Sequence, residues 1–236
     1  MKVGLIVTAH QSKKFRPMGK DLIDRYLKSL KSSIKHEYVV YFFDNSSEDK
    51  FELSEYQMPI DYTYVKDQSL RGNTGPWNDG TIKAYEDGCD QIWITNDDVE
   101  YNGSINNLFN FVKDDVDGDL TVWGVMTNGI DQGNPAYNLN GELINDVIDL
   151  TNNHSTHVNG FFHGFTKKFY GNFKREDGNI YNPDPKYNWG GNETTIQTRA
   201  WQLGGKSKIY RGTWLYHDKI RGWKQHIHNE SWYEDK

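Results

Sequence analysis

The stretch Gln91-Ile92-Trp93-Ile94-Thr95-Asn96-Asp97-Asp98 decides how the rest of the chain is interpreted. Residues 92–95 are apolar or β-branched, which predicts a short buried strand, and an acidic turn follows it directly. Two adjacent carboxylates repel each other unless a positive charge lies near them. A hard divalent cation binds such oxygen ligands and keeps positions open for phosphate oxygens. An isolated turn of this kind is usually a solvated surface feature, so its meaning depends on the surrounding sequence.

Composition limits the classes to which the chain can belong. Its 236 residues fit one large domain, and a net charge of −6 argues against a general nucleic-acid binder. No run of 18 apolar residues is present, which predicts no membrane span. The apolar run after Met1-Lys2 has no small-residue cleavage site, and Cys89 has no second cysteine to pair with. We therefore expect no signal peptide and a cytoplasmic protein.

Predicted strands and helices alternate along the first 128 residues. Apolar runs predict strands over 3–8, 38–43, 62–65, 91–95 and 120–126. Three- and four-residue spacing predicts helices over 19–34, 74–88 and 104–112. The second half is predicted as a loop over 129–155, helices over 167–173 and 192–203, and a strand over 208–216. Alternating strands and helices predict an α/β fold with a mainly parallel central sheet flanked by helices.

Polar residues follow three of the predicted strands at the point where each strand ends. They are Thr8-Ala9-His10, Asp44-Asn45 and Asn96-Asp97-Asp98. Ligands of open parallel sheets bind beyond the carboxyl ends of the strands. The aromatic content, with 8 Trp, 15 Tyr and 11 Phe, adds stacking faces that suit sugars and nucleotides. The sequence therefore predicts a ligand site at the edge of the sheet where these strands end.

An ordered set of short motifs resembles the inverting glycosyltransferases of the GT-A fold, especially those of family 2. Asn73-Thr74-Gly75 and Asn78-Asp79-Gly80 lie at the start of the helix predicted over 74–88, and the strand ending in Asn96-Asp97-Asp98 comes next. The late segment 192–199 keeps the spacing of the family's catalytic-base motif, and His217 follows the last predicted strand. The likeness covers about residues 3–218. This chain departs from the family pattern in having Asn96 and Asn192 where the family has acids.

The resemblance implies a role for each matching residue. It implies one GT-A domain, with the nucleotide-sugar half over 1–128, the acceptor and catalytic half over 129–219, and a tail over 220–236. Glu193 would be the catalytic base, and Asp98 and His217 would bind Mn²⁺ or Mg²⁺. The implied sugar-donor contacts are Thr8, Ala9, His10, Asp44, Arg71, Asn73, Gly75, Asn78, Asn96 and Asp97. The expected acceptor contacts are His163, Trp189 and Arg199.

The implied activity is transfer of a sugar, with inversion, from a nucleotide-diphosphate donor to a hydroxyl of a glycan or other acceptor. A carboxylate at Asp44 suits the ring N–H of uracil, thymine or guanine, so UDP-sugars are expected first and GDP- or dTDP-sugars next. Two alternatives stay open. Arg16-Pro17 and Lys20 superficially resemble the basic loop of sugar nucleotidylyltransferases, although 9–12 lack its glycines. The aromatic content alone would also suit a non-catalytic carbohydrate-binding protein.

Overall fold

The computed structural model describes residues 1–14, 16–67, 71–129, 143–188 and 190–218, and these ranges form nine strands and five helices. The strands are Lys2–Ala9 (β1), Glu37–Asn45 (β2), Ile60–Val65 (β3), Gln91–Asn96 (β4), Val99–Glu100 (β5), Thr121–Thr127 (β6), Val147–Asp149 (β7), Phe162–Thr166 (β8) and Lys206–His217 (β9). The helices are Gly19–Ser33 (α1), Thr74–Glu86 (α2), Ile105–Asp114 (α3), Lys167–Phe173 (α4) and Asn192–Gln202 (α5).

The strands form one sheet in the order β3-β2-β1-β4-β8-β6-β9-β5, and β7 also pairs with β9. The four strands β3, β2, β1 and β4 run parallel to one another, as do β6 and β9. β8 is antiparallel to both of its neighbours, β4 and β6. The predicted α/β fold with a mainly parallel sheet is therefore confirmed.

Helices cover both faces of the sheet because side chains of a strand alternate between the two faces. On β1, Val3, Leu5 and Val7 face a core built with α1 and α3, whereas Ile6 faces a second core built with α2, α4 and α5. α1 buries Leu22, Ile23, Tyr26, Leu27 and Leu30, the apolar stripe of its predicted pattern. None of the described helices is both long and apolar enough to cross a membrane.

The second half differs from its prediction at two strands. β7 lies within the segment predicted as a loop, and β8 forms from the aromatic stretch 158–165, for which no element was predicted. β8 is buried along its whole length, so it shows no alternation of polar and apolar residues. Residues 130–142 of the predicted loop over 129–155 lie outside the described residues, and so does the predicted tail over 220–236.

Candidate active site

The predicted polar residues of β1, β2 and β4 lie together at one edge of the sheet. Ala9 pairs in register with Asp44, and Thr8 pairs in register with Asn96. β1 is the central member of these three parallel strands, so all three carboxyl ends meet at this edge. The edge is the place where the topology of such a sheet accommodates a ligand.

Asp98 and His217, the predicted metal ligands, come together from 119 residues apart in the sequence. β5 begins directly after Asp98 and pairs antiparallel with the end of β9, so that Val99 lies opposite His217. The Asp98 carbonyl also accepts a hydrogen bond from the Asp218 amide. His217 Nε2 lies 3.4 Å from Asp98 Oδ1, and the imidazole stacks on Phe161 with ring centroids 4.6 Å apart. Pairing of the two strands thus places these side chains.

The pair Asp98–His217 fits a divalent cation as a partial ligand set. Two neighbouring ligands of an octahedral ion at about 2.1 Å each lie about 3 Å apart, close to the separation observed here. Carboxylate and imidazole are both ordinary ligands of Mn²⁺. Within the described ranges no group of three or more His, Cys, Asp or Glu side chains is placed to hold a metal ion. The described residues would therefore supply two ligands, and phosphate oxygens and water would be further ligands.

Arg16, named above only in the nucleotidylyltransferase alternative, contacts this edge of the sheet, where it donates a hydrogen bond to the His10 carbonyl. Its guanidinium forms a bidentate ion pair with Asp97, through Nη1 to Oδ2 and through Nη2 to Oδ1 at 2.7 Å. Both side chains are buried, with 2% and 7% of their surfaces exposed. Burial raises the pKa of Asp97, and attraction to Arg16 opposes that rise. Both carboxylate oxygens of Asp97 therefore bind Arg16, and the expected contact of Asp97 with the sugar donor stays a prediction.

Asp44, which is predicted to contact the nucleotide base, also forms hydrogen bonds within the protein. It is fully buried. Its Oδ1 accepts a hydrogen bond from the Ser47 amide at 3.0 Å, and its Oδ2 accepts one from the Tyr62 hydroxyl at 2.7 Å. These bonds hold the turn after β2 against β3. Asp44 therefore stabilises this turn, and its expected contact with the base stays a prediction.

The neighbouring Asn45 has the free hydrogen-bonding groups that Asp44 lacks. Its side chain is fully buried, and neither its Oδ1 nor its Nδ2 has a hydrogen-bond partner among the described residues. The Thr8 hydroxyl, at the end of β1, is also buried and has no hydrogen-bond partner among the described residues. The Asn45 carbonyl accepts a hydrogen bond from His10 Nδ1 at 2.9 Å, and burial lowers the pKa of His10. Buried polar atoms normally have partners, so Asn45 and Thr8 mark a place where a ligand would supply them.

Arg71 is tied to Asp79 across the start of α2. Two hydrogen bonds of 2.7 and 2.8 Å join the guanidinium to the carboxylate. About half of each side chain is exposed, 53% and 46%, and this contact raises the pKa of Arg71. Exposed ion pairs are weak, so this pair restricts the Arg71 side chain only slightly, and its expected contact with the sugar donor stays a prediction.

The second motif, Asn78-Asp79-Gly80, contacts other segments of the protein. Asn78 Oδ1 accepts hydrogen bonds from the amides of Ile180 and Tyr181 at 3.1 and 3.0 Å, and the side chain is 2% exposed. A Cβ on Gly80 would lie 2.7 Å from Ile6 and 2.9 Å from Phe43, so this glycine lets α2 approach the sheet. Asn78 therefore binds the backbone of a neighbouring loop, and its expected contact with the sugar donor stays a prediction.

The first motif, Asn73-Thr74-Gly75, connects α2 to the loop before α5. The amides of Asn73 and Thr74 both donate to the Asn188 carbonyl, at 2.8 and 3.3 Å. The side-chain Oδ1 of Asn73 is buried without a partner in the described part of the chain. A Cβ on Gly75 would lie 2.6 Å from the Arg71 side chain. Asn73 thus keeps an unused acceptor for a ligand, whereas Gly75 makes room for Arg71.

Glu193, the predicted base, lies in the first turn of α5 and is half-buried. A Cβ on Gly160 would lie 3.3 Å from the Glu193 carboxyl carbon, so the carboxylate packs against the backbone of residue 160. The next residue, Phe161, stacks on His217 and accepts a hydrogen bond from the Asn96 amide. Residues 160–161 therefore connect the Glu193 carboxylate with the Asp98–His217 pair.

Three residues are expected to bind the acceptor, and the structure describes two of them, His163 and Arg199. His163 is fully buried, with Nε2 hydrogen-bonded to the Tyr181 hydroxyl at 2.8 Å, and burial lowers its pKa to about 3. Arg199 donates to the carbonyls of Phe173 and Lys174 at the end of α4. These side chains therefore contact the protein interior and a helix end, and their expected contacts with the acceptor stay predictions. Trp189 lies outside the described residues.

No family model matches the sequence, and no curated protein matches it. Solved structures do match. Crystal structures of S. aureus TarS 1-349 align over 92–94% of this chain at 14–16% identity, with TM-scores of 0.63 alone and 0.65 in complex with UDP-GlcNAc. The structure of GalNAc-T7 with UDP, GalNAc and Mn²⁺ aligns over 94% of this chain at 13% identity, with a TM-score of 0.66. The chain therefore has the fold of GT-A glycosyltransferases.

The chain spans less than two thirds of each of these proteins. It covers 60% of the TarS 1-349 chain and 45% of the GalNAc-T7 chain. At these identities the likeness establishes the architecture, and the chemistry has to be argued from the residues of this chain.

Proposed function

We propose that this chain is a metal-dependent glycosyltransferase that moves a sugar from a nucleotide-diphosphate donor to a hydroxyl of a glycan or other acceptor. One observation carries the proposal: the Asp98–His217 pair and the Glu193 carboxylate are joined through residues 160–161 at the carboxyl edge of a GT-A sheet. A ligand pair for a cation and a carboxylate base are the two chemical requirements of this transfer.

The sugar donor is proposed to be a UDP-sugar. The unpartnered amide of Asn45 and hydroxyl of Thr8 offer both hydrogen-bond donors and acceptors to a base or ribose at the ends of β1 and β2. Among the solved structures that share this fold, one TarS structure contains UDP-GlcNAc, and the GalNAc-T7 structure contains UDP. UDP-GlcNAc is therefore the first donor to test, ahead of GDP- and dTDP-sugars.

Glu193 is proposed as the base of an inverting transfer. It would take the proton of the acceptor hydroxyl while the acceptor oxygen forms a bond to the anomeric carbon of the sugar. The bond between that carbon and the diphosphate oxygen breaks at the same time, and the diphosphate leaves with the electron pair. Attack from the face opposite the diphosphate inverts the anomeric configuration. A cation bound by Asp98 and His217 would supply positive charge beside the diphosphate.

Calorimetry with UDP and Mn²⁺ tests the metal and nucleotide parts of the proposal. We expect Asp98→Asn to weaken Mn²⁺-dependent UDP binding at least about tenfold, and the equally charge-changing control Glu100→Gln to leave it unchanged. UDP affinity that is unaffected by a chelator would refute the metal assignment. Preferential binding of a nucleoside triphosphate would favour a nucleotidylyltransferase. Sugar binding without any UDP binding would favour a carbohydrate-binding protein.

The base assignment is tested by the rate of UDP release from UDP-GlcNAc, with water or a glycan as acceptor. Glu193→Gln keeps the size of the side chain but cannot accept a proton, so turnover should fall roughly 100-fold while UDP still binds. Near-normal turnover in this variant, or retention of the anomeric configuration by NMR, would refute the inverting mechanism with this base.

A further inference from the structure

Asn192 is a fully buried amide that joins three separate segments of the chain. Its Oδ1 accepts a hydrogen bond from the Asn182 amide at 2.8 Å. Its Nδ2 donates to the Thr74 hydroxyl oxygen at 2.7 Å and to the Tyr187 carbonyl at 3.0 Å. The Thr74 hydroxyl in turn donates to the same Tyr187 carbonyl at 2.8 Å. One side chain therefore connects α5, the loop over 182–187 and the first turn of α2.

The chemistry of these partners requires an amide at position 192. On one side a backbone N–H needs an acceptor, and on the other a backbone carbonyl and a hydroxyl oxygen need a donor. Backbone partners fix the orientation of the amide, because an N–H only donates and a carbonyl only accepts. A carboxylate would turn an ionised oxygen towards the Tyr187 carbonyl in a buried site, which is strongly unfavourable. This explains why the chain has Asn at a position where the resembling motif has an acid.

Asn192 is also the first residue of α5, directly before Glu193. Its other contacts hold that turn: the Thr195 hydroxyl donates to the Asn192 carbonyl at 3.0 Å and lies 3.1 Å from its Oδ1. We propose that Asn192 is a positioning residue that fixes the first turn of α5, and with it the Glu193 carboxylate, relative to the sugar-donor side of the site at α2. The proposal rests on the proposed role of Glu193 as base.

A double-mutant cycle separates positioning from a general structural effect. Asn192→Asp should lower the rate of UDP release from UDP-GlcNAc at least about tenfold, since small displacements of a catalytic group cost one to two orders of magnitude. The same substitution in a Glu193→Gln background should change the remaining rate by less than about twofold, because Asn192 acts only through Glu193. The affinity for UDP should stay within about threefold of that of the unmodified protein in every variant.

Asn106 provides a matched control, because it is a buried amide with the same pattern of partners far from the site. Its Oδ1 accepts from the Lys35 amide at 2.9 Å, and its Nδ2 donates to the carbonyls of Ser33 and Gly103 at 2.8 and 2.9 Å. Asn106→Asp should destabilise the protein in a similar way yet leave turnover of the folded protein within about twofold. A comparable loss of turnover in both Asp variants would overturn the proposal.

Thr74→Val tests the same contact from α2 if Asn192→Asp does not fold. Valine has nearly the shape of threonine but offers Asn192 no acceptor and donates nothing to the Tyr187 carbonyl. Its loss of turnover should again disappear in the Glu193→Gln background. Additive losses in both cycles, or unchanged turnover in folded Asn192→Asp, would overturn the positioning role. Normal turnover in Glu193→Gln alone would instead overturn the proposed base, so the two failures are distinguishable.

Discussion

Arg16 and Arg71 both form bidentate pairs with an aspartate, but the two pairs differ in exposure to solvent. The Arg16–Asp97 pair is buried, whereas about half of each side chain of the Arg71–Asp79 pair is exposed. Breaking a buried pair leaves an unpaired charge in a poorly solvated place, which typically costs about 3–5 kcal/mol. Exposed pairs contribute about 0–1 kcal/mol, because water replaces the lost partner.

We expect Arg16→Met to lower the free energy of unfolding by about 3–5 kcal/mol and its control Arg71→Met by less than about 1 kcal/mol. Urea denaturation followed by circular dichroism measures both values under the same conditions. Equal losses in the two variants would show that Asp97 reaches water once Arg16 is removed, contrary to its burial in this structure.

At the scale of elements, α2 depends on one glycine for its contact with the sheet. A Cβ on Gly80 would lie within 3 Å of Ile6 and Phe43, whereas a Cβ on Gly171 in α4 would have no neighbour within 4 Å. The same substitution therefore has opposite consequences in two helices. One adds volume to a packed interface, and the other only reduces the conformational freedom of the unfolded chain.

Gly80→Ala should lower the free energy of unfolding by about 1–3 kcal/mol, since α2 must move away from β1 and β2. Gly171→Ala should raise it by about 0.5–1 kcal/mol. Both values come from the same denaturant titration. A stabilising effect of Gly80→Ala would mean that the interface between α2 and the sheet is more loosely packed than it is in this structure.

At the scale of the whole molecule, one buried histidine makes stability depend on pH. His163 takes up a proton below about pH 6.5 in the unfolded chain, but burial lowers its pKa to about 3 in the folded protein. Between these values the unfolded chain binds more protons, so the free energy of unfolding falls as the pH is lowered through this window. The loss due to His163 alone is at most about 5 kcal/mol.

The variant His163→Gln keeps a polar atom near the Tyr181 hydroxyl but does not titrate. We expect a shallower fall of the free energy of unfolding between pH 6.5 and 3 in this variant than in the unmodified protein. His10, whose pKa burial also lowers, contributes equally to both proteins and cancels in the comparison. An identical fall of the free energy of unfolding in both proteins would indicate that His163 is in contact with water, contrary to its burial in this structure.

The sequence predicted what depends on local pattern and missed what depends on distant partners. Strand ends and helix faces follow from the spacing of apolar residues. The ordered motifs indicated Asp98 and His217, whose side chains lie 3.4 Å apart in the structure. The ion pair of Arg16 with a residue 81 positions away has no local signal. The same holds for Asn78 and Asn192, whose amides bind backbone groups of other segments. Buried amides at special positions are visible in the sequence, but their partners are not.

The antiparallel strand β8 has a consequence for the order in which this chain folds. Among the described residues, β6 has no sheet partner before residue 143, since its neighbours β8 and β9 both come later in the chain. A ribosome that has released only the first 128 residues therefore presents β4 with one unpaired edge and β6 with two. Such edges pair readily with other chains. Aggregation during synthesis should be most pronounced until residues 162–166 emerge and close the gap between β4 and β6.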